Sequence, residues 1–166
     1  MENTGIHRAK TWQMALFALN NTSTNLWLVL LNFVAYYLTG YVGVAVVMAT
    51  SVMTFMRIWD AITDPIVGYI VDKTDGKFGK NRPFMAAGNI VLLITTFLMF
   101  FTTHHLPEQF RFIYFLVIYL IYIIGYTLQT VVTKSAQSCL TNDPKQRPTF
   151  GIYDGIYNAT LFALVP

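Results

Sequence analysis

The sequence predicts an all-α fold, a polytopic bundle of membrane-spanning helices, and three observations lead there. Hydrophobic residues make up 55% of the 166-residue chain and charged residues only 11%, less than half of the roughly 25% that a water-facing domain carries. The mean hydropathy is +0.49. Apolar stretches of about 20 residues recur, the length a helix needs to cross a hydrocarbon core about 30 Å thick, and they lack the two-residue alternation of a barrel strand. Together these exclude a soluble globular enzyme, a nucleic-acid-binding module and a disordered tail. The excess of 11 basic over 8 acidic residues is small. The single cysteine, Cys139, excludes an intrachain disulfide and a thiolate metal cage.

Four spans are complete and a fifth begins. They cover about 12–38, 42–70, 84–101, 112–132 and 149–166, so that residues 1–166 read as an incomplete amino-terminal transmembrane bundle. The polar start, Met1 to Lys10, and the length of the first apolar run argue against a cleaved signal peptide. Thr39-Gly40-Tyr41 joins spans one and two, and Thr102 to Arg111 joins three and four; neither connection could hold a soluble domain. Gly68 in span two and Gly125 in span four are expected to let neighbouring helices approach closely.

Basic residues set the orientation. Arg8 and Lys10 precede span one, Lys73, Lys77, Lys80 and Arg82 follow span two, and Lys134, Lys145 and Arg147 follow span four. These nine of the 11 fall on one side if the spans alternate. That predicts a cytoplasmic amino terminus in a multi-pass protein of the plasma (cytoplasmic) membrane.

Span two carries three ionisable residues, Arg57, Asp60 and Asp64. Their i, i+3, i+7 spacing stacks them on one helix face. Each charge at the bilayer centre costs about 2.5–3.5 kcal/mol on insertion scales. At a rise of 1.5 Å per residue, Asp64 lies about 12 Å and Asp60 about 18 Å from Asp72 at the span's end, which straddles the midplane. One reading is a self-satisfied trio in which Arg57 neutralises Asp60 against a neighbouring helix. The other is a cation site, because two carboxylates one turn apart supply oxygen ligands and negative charge for Na⁺ or a proton. Pro65 removes the helix partner of the Ala61 carbonyl and is expected to kink the span.

Other spans are polar at similar depth. Span one holds Asn20-Asn21-Thr22-Ser23-Thr24-Asn25, and span four holds Tyr126, Thr127, Gln129, Thr130 and Thr133. Interhelical hydrogen bonds and a polar cavity explain these equally well. Trp59 reads as packing rather than a sugar-stacking platform. His104 and His105 read as a loop pair whose rings point apart, not as a metal site.

The stretch from Arg57 to Pro83, R-I-W-D-A-I-T-D-P-I-V-G-Y-I-V-D-K-T-D-G-K-F-G-K-N-R-P, resembles the glycoside–pentoside–hexuronide:cation symporters, the melibiose-permease-like branch of the major facilitator superfamily. Gly125-Tyr126-Thr127 and Asn142-Asp143-Pro144-Lys145-Gln146-Arg147-Pro148 extend the likeness to roughly residues 30–150. The resemblance implies part of the amino-terminal half of a twelve-helix transporter that couples entry of Na⁺, Li⁺ or H⁺ to sugar uptake, with no cofactor. It implies a cation site at Asp60, Thr63, Asp64 and Thr127, with no metal beyond a Na⁺ at Asp60 and Asp64. It also implies a conformational loop at Asp72, Lys73, Gly79, Lys80 and Arg82.

The family's sugar site is only weakly matched, by Thr24, Asn25, Tyr126, Thr130 and Lys134. The acids expected in spans one and four are missing, Lys134 replaces an aromatic residue, and Asp154 lies where span five should carry an arginine. Lys134 reads either as a topological cation at the cytoplasmic end or as a mark of an anionic substrate such as a uronate.

The expected function is therefore part of a cation-coupled symporter of a glycoside, pentoside or hexuronide. It is not an enzyme. Its partners are the sugar, the coupling cation, the bilayer and the missing carboxyl-terminal helices. The alternative is a non-transporting fragment or accessory membrane subunit, with the chain alone inactive. An intramembrane aspartyl protease would need acids on two helices, one in a G-x-G-D motif that this sequence lacks.

Overall fold

A computed structural model describes residues 8–74, 79, 81–141 and 143–164. Among them are five α-helices and no strand: α1 (Thr11–Gly40), α2 (Val46–Lys73), α3 (Arg82–Phe97), α4 (Glu108–Leu140) and α5 (Arg147–Leu164). Four helical segments are long and apolar enough to cross a membrane: Thr11–Gly40, Val46–Lys73, Arg82–His105 and Glu108–Gln137. Helix continues past the predicted end of span four at 132 to Leu140, because Thr133 to Leu140 contains no proline or glycine to stop it. Span three runs on through a π turn, Leu98–Thr102, and a 3₁₀ turn, Thr103–His105. α2 passes through Pro65 as one continuous helix.

The chain divides into two compact units, residues 27–132 and residues 1–26 with 133–166. In the first, an aromatic and aliphatic core gathers Val34, Leu38, Met56, Leu92, Met99, Phe115 and Tyr122. The Tyr122 hydroxyl, too polar to bury unpaired, donates to the Trp27 carbonyl at 2.6 Å. Tyr37 stacks on Phe115, with centroids 5.8 Å apart, and meets Phe100 edge-on at 5.1 Å. The outward residues are equally apolar. Phe55, Ile58, Ile62, Ile66 and Tyr69 form an exposed row on α2, as do Phe110, Ile113, Val117, Ile121 and Ile124 on α4. Such rows suit a lipid solvent.

α3 and α4 cross at a pair of glycines. A Cβ on Gly88 would lie 3.3 Å from the Gly125 carbonyl oxygen and from the Gln129 backbone nitrogen. A Cβ on Gly125 would lie 2.8 Å from Cγ1 of Val91. Gly125 thus has the packing role its sequence position suggests. Gly68 does not: a Cβ there meets nothing within 4 Å. Spacing alone marks which residues share a helix face, not whether a neighbour covers that face.

His104 and His105 lie in a 3₁₀ turn between spans three and four, and their rings, expected to point apart, have centroids 4.0 Å apart. Phe101 meets both edge-on.

In the second unit the polar run of α1 is largely spent on hydrogen bonds. Asn20 Nδ2 donates to Thr133 Oγ1 of α4 at 3.2 Å, and Asn25 Nδ2 donates to Asn158 Oδ1 of α5 at 2.9 Å. Thr22 and Thr24 donate to carbonyls one turn back, those of Ala18 and Asn20. The α4–α5 connection then clasps the segment before α1. Gln146 accepts from the Ala9 N–H and donates to the Ala9 carbonyl, each at 2.9 Å, and Thr141 Oγ1 donates to Gln146 Oε1 at 2.8 Å. Arg8 Nε donates to Asp143 Oδ2 at 2.7 Å.

The backbone N–H of Lys145, with Arg8 beside it, holds the Asp143 carboxyl below its usual 3.8. A depressed folded value means that Asp143's contribution is complete above 3.8 and is lost only as pH falls through the lower folded value. Gln146→Ala is expected to lower the thermal midpoint by a few degrees, since three hydrogen bonds at about 1 kcal/mol each vanish. Arg8→Ala should change it far less, because the Arg8 side chain is 65% exposed. Equal midpoints for Gln146→Ala and wild type in a detergent melt would dismiss the clasp.

Candidate cation site

The burial pattern of α2 explains how Asp60 enters the unit formed by residues 27–132. Ala49, Val52, Met56, Thr63, Val67 and Val71 are buried and recur every three, four or seven residues, which defines the inward face. Asp60 lies four residues after Met56 and three before Thr63, so it rides on that face and is half-buried. Arg57 and Asp64 sit beside the stripe and are exposed. No ion pair joins Arg57 to Asp60 among the described residues.

Opposite Asp60 stands Thr127 of α4, whose side chain is fully buried. Its hydroxyl donates to Asp60 Oδ1 at 2.9 Å. Thr63 Oγ1 donates to the Asp60 carbonyl at 3.0 Å and lies 3.3 Å from Thr127 Oγ1. Each hydroxyl has one proton and two lone pairs. Two protons therefore serve three oxygen contacts, and both hydroxyls can rotate to turn a lone pair toward a cation beside the carboxylate. Three of the four residues expected at a cation site, Asp60, Thr63 and Thr127, are thus brought together. Asp64 follows Asp60 by one turn on α2 and is more exposed.

The other expected residues are scattered. Thr130 Oγ1 donates to the Tyr126 carbonyl of its own helix at 2.8 Å, and Tyr126 packs against the core. Thr24 and Asn25 are engaged as described above, in the other unit, where Lys134 is exposed. Of the residues expected in the conformational loop, Asp72 and Lys73 instead end α2 and Arg82 begins α3; Asp72 and Arg82 are exposed, and Lys73 Nζ lies 4.7 Å above the Tyr69 ring. Gly79 has φ +84, a backbone that only glycine adopts freely. Lys80 lies outside the described residues.

The residues that the sequence did not assign to the site are supporting ones. Gln129, with a fully buried side chain, packs at Gly88, and Trp27 Nε1 donates to Asn89 Oδ1 at 3.4 Å. Trp59 packs against the core, as its setting suggested. The only sequence signal for Gln129 was a polar residue within an apolar run.

Four apolar helices of spanning length and a carboxylate held by hydroxyls inside the bundle define a multi-pass membrane protein with an internal polar site. The chain belongs to the MFS/sugar transport protein family, whose pattern it matches over residues 20–165, in the branch of glycoside–pentoside–hexuronide:cation symporters. Symporter YjmB of Bacillus subtilis, itself uncharacterized, is 32% identical over 70% of this chain and 26% of its own length. A glucuronide carrier protein homolog of Escherichia coli K12 is 27% identical over 78% of this chain and 28% of its own. A lactose permease of Lactobacillus helveticus is 27% identical over 70% of this chain and 20% of its own. The chain thus spans about a quarter of the length of these relatives.

Proposed function

We propose that this chain forms the cation-binding part of a sugar symporter that works by alternating access in the cytoplasmic membrane, with its amino terminus in the cytoplasm. The observation that carries the reading is the contact of Asp60 with Thr127, with Thr63 alongside: an acid and two hydroxyls on two helices, all oxygen donors. Oxygen donors suit a hard cation such as Na⁺, and the carboxylate equally accepts a proton. Binding neutralises Asp60 within the membrane, lowering the cost of moving the loaded site between two rocking bundles. The chemistry is binding and release, not bond making. The sugar is a glycoside, pentoside or hexuronide, in line with the names of the relatives. By itself the 166-residue chain does not accumulate sugar, since the relatives it matches are nearly three times as long. Sugar accumulation in liposomes by the purified chain, driven by a Na⁺ or H⁺ gradient, would refute that.

Thr127→Val in the complete transporter tests the site. It keeps the shape but removes the donor to Asp60, leaving that acceptor at a cost of about 1–3 kcal/mol. The cation concentration for half-maximal uptake is expected to shift by about tenfold. Thr63→Val should shift it less, because Thr63 reaches the backbone carbonyl of Asp60 rather than its carboxylate. Unchanged cation dependence in both variants would remove the hydroxyls from the site.

A further inference from the structure

We propose that the cavity where α4 leads into α5 binds a phosphate group, that of an anionic phospholipid headgroup. The inference goes beyond the transport reading and rests on a separate place in the fold. The cavity measures about 270 Å³ and is lined by Lys134, Gln137, Thr141, Arg147 and Phe150. That is room for roughly nine waters at about 30 Å³ each, enough for a phosphate and part of its hydration shell.

Its charge is one-sided. Lys134 and Arg147 are exposed, and neither forms an ion pair or hydrogen bond among the described residues. The acid beside them in the chain, Asp143, is engaged by Arg8 and by the Lys145 N–H. The clasp described above therefore leaves two cations facing one cavity, with no carboxylate among the described residues of its lining. Arg147 also opens an 18-residue helix, whose dipole adds to the positive field. Arg offers a fork of donors matched to phosphate oxygens, Lys a mobile point charge, and Gln137 two amide N–H donors. Phe150, buried, closes the apolar side.

The position selects a lipid. The apolar run of the fourth span gives way at Val132 to Thr133-Lys134-Ser135, and Lys134 lines the cavity, so the cavity lies at headgroup depth. Basic pockets at helix ends are suited to anionic headgroups.

The test uses the 166-residue chain purified in micelles containing equal phosphatidylglycerol and phosphatidylcholine, with retained lipid read by native mass spectrometry. Wild type is expected to retain phosphatidylglycerol preferentially. Lys134→Gln and Arg147→Gln should each cut that preference about fivefold, and the pair should abolish it. Lys134→Arg and Arg147→Lys keep the charge and should keep the preference. Lys10→Gln, the same charge change elsewhere, should leave it intact, and circular dichroism checks that every variant is helical. Retention by the double variant equal to wild type, or equal retention of the two lipids by wild type, overturns the proposal. Displacement of the lipid by soluble glycerol phosphate at the same concentration overturns the headgroup assignment and makes the occupant a free phosphate ester.

Discussion

Replacing Asp60 with Asn in the complete transporter is expected to abolish cation-stimulated sugar uptake. The carboxylate is the half-buried acid of α2 and the acceptor of the Thr127 hydroxyl. Removing one negative charge about 4 Å from a bound cation, at an effective dielectric near 20, forfeits about 4 kcal/mol. That corresponds to nearly a thousandfold in cation affinity. Misfolding is a poor explanation for such a loss, because a neutral amide enters the bilayer more cheaply than an acid. Asp64→Asn should cost less, since the hydroxyls of Thr63 and Thr127 gather at Asp60, one turn away. The readouts are uptake driven by a cation gradient and sugar exchange without one. A variant lacking Asp60 that keeps full cation stimulation would end the assignment.

The second large effect falls on the glycine crossing. Gly125→Ala places a methyl 2.8 Å from Val91 Cγ1 and 3.3 Å from Val91 Cβ. Carbon atoms prefer about 3.5–4.0 Å, and a helical valine has one strongly favoured rotamer, so it cannot swing away. The helices must part, at an expected cost of about 1–3 kcal/mol, and Gly125→Leu should prevent folding. Thr127 lies two residues further along α4, so the same displacement should weaken cation coupling. Val91→Ala on the Gly125→Ala background removes Cγ1 and should restore most of the stability. Gly68→Ala, with nothing within 4 Å of its Cβ, should be neutral. The check is the detergent melting temperature of the four variants. A Gly125→Ala protein as stable as wild type would show that the crossing is loose.

The site was legible to the extent that its chemistry is rare in its setting. Asp60 and Asp64 stand out because an acid is costly in an apolar span, and the R-I-W-D-A-I-T-D-P-I-V-G run pairs them with Thr63. Thr127 entered only by resemblance, since one more hydroxyl in a polar patch carries no signal of its own. Lys134 was left between a topological and a substrate role. Its position on a cavity with Arg147 offers a third, which only the proximity of α4 and α5 could suggest.

Some matters were decided by the chain alone. Its hydrophobic content, its scarcity of charge and the length of its apolar runs determine an all-helical membrane bundle, because in lipid every backbone N–H and C=O must be satisfied within its own segment. Which polar residue meets which was decided by tertiary structure. Spacing placed Arg57, Asp60 and Asp64 on one face, and the packing of α4 against α2 selected Asp60 for burial and left its neighbours exposed. The polar run from Asn20 to Asn25 was compatible with a cavity, and contacts with α4 and α5 engaged its two ends, Asn20 and Asn25, in interhelical hydrogen bonds. The physical reason is common to both cases. Helical periodicity is a local property of one segment, whereas burial and partnership depend on a second helix whose position no local pattern encodes.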